Sequence, residues 1–330
     1  MARGATKIIR GRKSPRAIVG IPVYLIVRFL GAIIGWMPLG LSLASARAAA
    51  WVAYHLDRRH HRIATENLMH AYGDSLSAEE RERIILGAYQ NLTLNVVEII
   101  QVLRRLRPGE EGRYFELSGE EHPAKVLSAG KGIVLLSGHL GNWEMLSAVA
   151  RMTNIPIHGV VQPRANPWLE QYLLRVRRSL GAEIVMKKGA VRASIDVLRE
   201  GKAVGMLVDQ NQRRDGIFVD FFGRKASTVR AAALLARRAG APIVVVYVRR
   251  LPGNLRYLVR FLEPIPSVRT SSSAKDIQKM TEQFTNQLEG AIRECPDQWL
   301  WLHRRWRTRP PEEKAAPTAD LAEARDSRNA

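Results

Sequence analysis

Cysteine is almost missing from this chain. Cys295 is the single one in 330 residues, which excludes an intrachain disulfide framework and any cysteine-rich zinc site and fits a reducing compartment. Acidic residues are also scarce: 31 Asp and Glu face 51 Lys and Arg, a formal charge of +20. Such a surface attracts an anionic partner, whether nucleic acid, acidic lipid, a phosphorylated substrate or an acidic protein. Two catalytic signatures are absent. There is no Gly-x-Ser-x-Gly elbow and no Gly-x4-Gly-Lys-[Ser/Thr] loop, so the hydrolase and P-loop readings have no anchor. His55, His60, His61 and His70 crowd one region without the spacing of a metal motif, and a solvated basic face accounts for them. No internal repeat is visible. With 46% hydrophobic residues, the chain can bury the core of one large domain, or of a domain plus an anchor.

What is present begins with an apolar segment. Basic residues Arg3, Lys7, Arg10, Arg12, Lys13 and Arg16 precede residues 17–37, in which Arg28 is the only charge. That length suffices to cross a hydrocarbon core at 1.5 Å per residue. A mid-span arginine costs roughly 2.5–3.5 kcal/mol on insertion scales, and the far flank is basic too, with Arg47, Arg58, Arg59 and Arg62. The segment is therefore expected either to span or to lie in the cytoplasmic leaflet with Arg28 reaching for phosphates. A cleaved signal peptide fits less well, because the stretch is longer than a usual apolar region and Arg28 interrupts it.

The expected organisation is a basic, membrane-associated segment over residues 1–54, an α/β domain over 55–307 and a disordered tail over 308–330. The domain opens with two helices, the second behind a capping-box-like Ser77-Ala-Glu-Glu80. Strands over 132–137, 157–161, 182–186, 203–208 and 242–248 alternate with helices over 143–152, 167–180, 191–200 and 228–238. This rhythm predicts a mostly parallel central sheet flanked by helices. A paired strand over 256–262 and a long amphipathic helix over 273–293 follow.

At the end of the first strand stands Ser-Gly-His-Leu-Gly-Asn-Trp-Glu, residues 137–144. Active crevices of open α/β sheets lie beyond the carboxyl ends of the strands, which puts His139 in the cleft. On one straight helix His139 and Glu144 would point about 140° apart. The Gly138–Gly141 turn lets them meet, and Asn142 can cap the helix that carries Glu144. A carboxylate on one imidazole nitrogen raises the basicity of the other, making a general base without an enzyme nucleophile. The alternative is a histidine that merely caps the turn. Arg164 suits a phosphate or an oxyanion, or else a surface ion pair. Asp209, ending a buried run, is a site group or a helix cap. Phe221 and Phe222 are either a core β-turn or a pocket wall. Trp299, Trp301 and Trp306 among His303, Arg304 and Arg305 suit nucleotide stacking or a membrane-interface belt, and the apolar N-terminus favours lipid over nucleic acid.

"LLSGHLGNWE" resembles the His-x4-acid signature of the glycerolipid acyltransferases, in the form found in the bacterial late acyltransferases of lipid A biosynthesis, the lauroyl and myristoyl transferases. "VVQPRANPWLEQYLLRVR", "AVGMLVDQNQRRDGIFVDFFGR" and "PDQWLWLHRRW" resemble successive blocks of that family in the same order, so the likeness runs over roughly residues 20–308. Ser227-Thr228-Val229-Arg230 departs from it where proline and glycine are expected. The resemblance implies a membrane-associated O-acyltransferase at the cytoplasmic side of a bacterial inner membrane. His139 would be the base oriented by Glu144, with Arg164, Asp209, Asn142, Phe221 and Phe222 at or beside the bound substrates. The implied donor is an acyl thioester, with acyl carrier protein foremost, and the implied acceptor an anionic glycolipid such as a lipid A precursor. No metal or organic cofactor is implied. The remaining alternatives are another glycolipid, lysophospholipid or aminolipid acceptor, and a basic membrane-surface binding protein without turnover.

Overall fold

A computed structural model describes residues 15–107, 109–161, 166–186 and 189–315. Four helices come first: α1 (Pro15–Trp36), α2 (Leu39–Leu56), α3 (Arg58–Tyr72) and α4 (Ala78–Arg105). The expected capping box is formed: Ser77 Oγ accepts from Glu80 N–H, and Glu80 Oε2 accepts from Ser77 N–H. Two backbone donors at the start of the 28-residue α4 are thereby satisfied.

The α/β part follows as β1 (Phe115–Ser118), α5 (Glu121–Ser128), β2 (Ile133–Ser137), α6 (Leu146–Thr153), β3 (Ile157–Val161), α7 (Pro167–Ser179), β4 (Glu183–Met186), α8 (Ala190–Arg199), β5 (Ala203–Leu207), β6 (Gly216–Phe221), β7 (Arg224–Val229), α9 (Ala231–Ala239), β8 (Ile243–Arg250), β9 (Tyr257–Phe261) and α10 (Ser273–Glu294). Seven strands form one sheet in the order β1-β9-β8-β2-β5-β3-β4, parallel throughout except for the antiparallel β8–β9 pair. The strand β2 is buried along its whole length. Its Ile133 and Leu135 pack with Met145, Ala148 and Val149 on one face, while Val134 and Leu136 pack with Ala232, Ala236 and Leu288 on the other. A strand covered on both faces has no solvent side, hence its unbroken apolar run.

Two expected elements change. The helix expected over 228–238 begins only at Ala231, because Arg224–Val229 pair antiparallel with Gly216–Phe221 as a hairpin. The helix expected over 143–152 starts as a 3-10 turn, Trp143–Met145, before α6.

The apolar N-terminal segment packs against the rest of the molecule. Gln101 Nε2 of α4 donates to Ile34 O, and Asn166 Nδ2 at the start of α7 donates to Gly20 O. Leu43 and Ala46 of α2 bury against Leu94 and Val97 of α4. Arg28 lies over the Tyr172 ring of α7. Among the described residues no helix is long and apolar enough to cross a membrane. Thr308 is held by Asn211, and Pro311–Ala315 is helical; the rest of the expected disordered tail, residues 316–330, lies outside the described residues.

Candidate active site

The strands β2 and β5 are parallel neighbours in the register Ser137↔Leu207. Two residues beyond that pair stand His139 and Asp209, so the sheet itself brings them side by side. His139 Nδ1 lies 2.7 Å from Asp209 Oδ1, and the His139 backbone N–H donates to Asp209 Oδ2 at 2.6 Å. The Trp299 indole donates to the same Oδ2 at 2.9 Å. Gly138 allows this close approach: a Cβ there would come within 2.9 Å of Asp209 Oδ2.

Burial by itself pushes the Asp209 carboxyl up, but the charge of His139 and the hydrogen bonds from His139 and Trp299 outweigh it and bring the group down to about 2. Asp209 is therefore ionised at neutral pH, and an ionised carboxylate only accepts, so His139 Nδ1 carries the hydrogen. Burial works against the His139 cation, yet the Asp209 charge and hydrogen bond, with a smaller contribution from Glu144, hold it above the ordinary histidine value. Nε2 is the ring nitrogen without hydrogen and accepts from Gln210 Nε2 at 3.3 Å.

His139 opens on a cavity of about 440 Å³ at the carboxyl ends of β2, β3 and β5. Its deeper wall is apolar, with Leu135, Val149, Ile157, Ile184 and Val246, and its mouth carries His139, Glu144, Arg177 and Gln210. Gly159 and Gly205, register partners on β3 and β5, both line it. These two register-paired glycines leave room over the sheet face that side chains would fill.

The structure corrects several expectations. The carboxylate bonded to His139 is Asp209, not Glu144. Glu144 grips Arg177 in a bidentate pair, at 3.0 Å to Nε and 2.8 Å to Nη2, and acts on the imidazole only through its charge. Asn142 does not cap a helix or line the cavity; it is fully buried and donates to Glu98 Oε2. Phe221 and Phe222 are core residues rather than a pocket wall, packed edge-on against Trp299 and Trp301 respectively. Nor do the three tryptophans form an interface belt. Each is buried and its indole is satisfied inside: Trp299 by Asp209, Trp301 by Pro296 O and Trp306 by Phe221 O. Arg164 lies outside the described residues.

Sequence reasoning missed the clamp behind the His139 turn. Asn91 and Asn95 of α4 both donate to Gly141 O, and Gln298 O accepts from Gly141 N–H. Arg250 bonds Glu98 at 2.5 and 2.8 Å and also reaches Asn91 and Asn95. Gly141 has φ +55°, and a Cβ there would sit 1.7 Å from Val248 O, so no side chain is tolerated. A signal was available: Asn91, Asn95 and Glu98 recur at helical spacing on the apolar, buried stripe of α4. Polar residues on such a stripe need partners.

A histidine paired with a carboxylate at the edge of a cavity with an apolar deeper wall, and bonded to no Ser, Thr or Cys side chain among the described residues, is compatible with transfer of a hydrocarbon-bearing group, and the relatives give the class: this is an acyltransferase. Residues 13–308 match the bacterial lipid A biosynthesis acyltransferases, and the chain belongs to that family. The lipid A biosynthesis lauroyltransferase of Escherichia coli is 26% identical over 78% of this chain and 83% of its own. The palmitoleoyltransferase of the same organism is 26% identical over 88% of this chain and 93% of its own. A phosphatidylinositol mannoside acyltransferase of Mycolicibacterium smegmatis is 26% identical over 60% and 64%.

Proposed function

We propose that the protein moves a fatty acyl chain from an acyl thioester, carried by acyl carrier protein, to a hydroxyl of an anionic glycolipid, with a lipid A precursor as the leading acceptor. His139 is the general base. Its Nε2 takes the hydroxyl proton while the alcohol oxygen attacks the thioester carbonyl. The tetrahedral intermediate expels the thiolate, which receives that proton from the imidazolium; one C–O bond forms and one C–S bond breaks. Asp209 fixes the tautomer and stabilises the imidazolium. Glu144, paired with Arg177, adds negative potential at the mouth. The acyl chain occupies the apolar cavity and extends over Gly159 and Gly205.

One observation carries this reading: the 2.7 Å contact between His139 and Asp209 at the edge of that cavity. The charge of +20 supports both an acidic carrier protein and a phosphorylated lipid as partners. The likeness to a phosphatidylinositol mannoside acyltransferase keeps another glycolipid as the second candidate acceptor. We place the protein at the cytoplasmic face of an inner membrane, held by the exposed apolar side chains of α1. The test is transfer from an acyl carrier thioester to glycolipid by purified protein. His139→Ala is expected to lose roughly 10²–10⁴-fold in rate while still binding vesicles. Unchanged transfer by that variant contradicts the assignment.

A further inference from the structure

A second cavity, of about 180 Å³, opens beside the catalytic segment and is lined by Arg59, Arg213, Arg304 and Arg307 together with His60 and His303. Among the described residues none of these four arginines makes an ion pair with a carboxylate. The nearby Asp57 carboxylate accepts from both His60 Nδ1 and the His60 backbone N–H. The four guanidinium groups are exposed, and Asp57 is the carboxylate that acts on one of them, Arg59; gathered round one cavity they concentrate a positive potential that draws an anion. Arginine suits a phosphate best, because its planar fork matches two phosphate oxygens at once.

The cavity is built into the active-site segment. Asp209 and Gln210 meet His139, and the next residue, Asn211, donates its backbone N–H to His303 Nε2 in the second cavity. Asn211 also exchanges two hydrogen bonds with Thr308. From α3, Asn67 Nδ2 donates to Trp301 O and His303 O, fixing the other wall. The apolar cavity and the arginine cavity therefore share the short segment that carries the catalytic carboxylate. Leu56, 77% exposed, together with the exposed Trp51 and Val52, leads along α2 to Arg59. An apolar surface running into an arginine pocket fits an acylated molecule whose phosphate sits at its polar end.

We propose that Arg59, Arg213, Arg304 and Arg307 form the seat for a phosphomonoester of the acceptor lipid, holding its sugar so that the hydroxyl reaches His139. This deepens, and rests on, the acyl-transfer reading above. The same chemistry occurs in the phosphodiester of a carrier's prosthetic arm, so the test separates donor from acceptor.

The experiment compares Arg304→Gln, Arg307→Gln and the double variant with wild type on two acceptors: an acylated sugar lipid bearing one phosphomonoester, and the same lipid after phosphatase treatment. Loss of a charged hydrogen-bond donor is expected to raise KM for the phosphorylated lipid about tenfold per arginine, with kcat within about twofold. KM for the dephosphorylated lipid and for the thioester donor should not move. A rise confined to the donor assigns the seat to the carrier, and equal effects on both acceptors reduce it to general surface charge; either result overturns the proposal. A binding arm needs no turnover. In His139→Ala, equilibrium binding of the phosphorylated lipid in detergent micelles should exceed that of its phosphatase-treated form, and adding Arg304→Gln/Arg307→Gln should remove the difference. No preference for the phosphorylated lipid in the parent background also overturns the seat, while failure of transfer by the wild type with this preference intact would count against the reaction and not against the seat.

Discussion

His139 and Asp209 form a pair whose strength depends on pH in a calculable direction. Asp209 is ionised down to about 2, and His139 is held above its ordinary value. A histidine with a raised folded value stabilises the fold fully below its unfolded value, and that contribution is lost as pH rises through the folded value. The stability difference between wild type and His139→Gln should therefore be largest near pH 6 and shrink toward pH 9, as read by thermal denaturation across that range. A difference growing with pH would contradict the pairing. Glu144 and Arg177 give a second residue-scale expectation. Either Glu144→Gln or Arg177→Gln leaves a partly buried partner short of its bonds, costing about 1–3 kcal/mol, and the two losses should be less than additive in a double-mutant cycle by denaturant unfolding. Full additivity would mean the bidentate contact contributes nothing.

Among the elements, β2, β3, β5 and β8 were legible as short runs rich in apolar residues that follow helices, with β2 and most of β8 buried throughout and β3 and β5 buried at their starts. The carboxylate partner of His139 was not legible. Glu144 is near in sequence, whereas Asp209 reaches His139 through the β2–β5 register, and pairing of strands 70 residues apart leaves no local trace. The β6–β7 hairpin escaped for a different reason: Ser227, Thr228 and Ala226 are buried small or polar residues, not the alternating pattern of a half-exposed strand. The tryptophans misled because their mixture with arginines looks interfacial, while Arg305 is in fact buried with them and bonds Ser227 O and Thr228 Oγ1.

The space over the paired glycines of β3 and β5 has a direct consequence at this scale. A Cβ at Gly205 meets only ordinary contacts, the nearest Ile157 Cγ2 at 3.4 Å, so a larger residue there adds bulk to the cavity rather than breaking the strand. Gly205→Val should shift the donor preference toward shorter acyl chains, measured by mass spectrometry of products from a mixture of thioester chain lengths. An unchanged distribution would remove the acyl chain from this space. The clamp on α4 belongs here too. Glu98→Gln leaves Arg250 buried without its carboxylate, an arrangement that costs about 3–5 kcal/mol; if the clamp holds the His139 turn, the conservative Glu98→Asp should recover part of both the stability and kcat.

At the scale of the whole molecule, among the described residues, α1 exposes a dense apolar surface. Val23, Leu25, Ile26, Phe29, Leu30 and Trp36 of α1 are each at least half exposed, and exposed apolar area of that density marks a contact surface. The proposed membrane attachment sets this surface, with the positive charge of the chain, against an anionic bilayer interface. Phe29→Asp/Trp36→Asp should weaken binding to anionic vesicles at least about tenfold, since burial of each ring contributes roughly 1.5–3 kcal/mol; flotation of the variant with the vesicles at wild-type levels would exclude this helix as the anchor.

The pH dependence of kcat/KM for Asp209→Asn against wild type probes the proposed base most directly. In wild type the rate should climb through a histidine value above the ordinary 6.5, because only neutral His139 accepts a proton. Removing the carboxylate should move that limb to lower pH while the plateau falls roughly 10²–10⁴-fold. A variant with the wild-type limb and plateau would show that Asp209 does not tune the base, and that proton abstraction lies elsewhere.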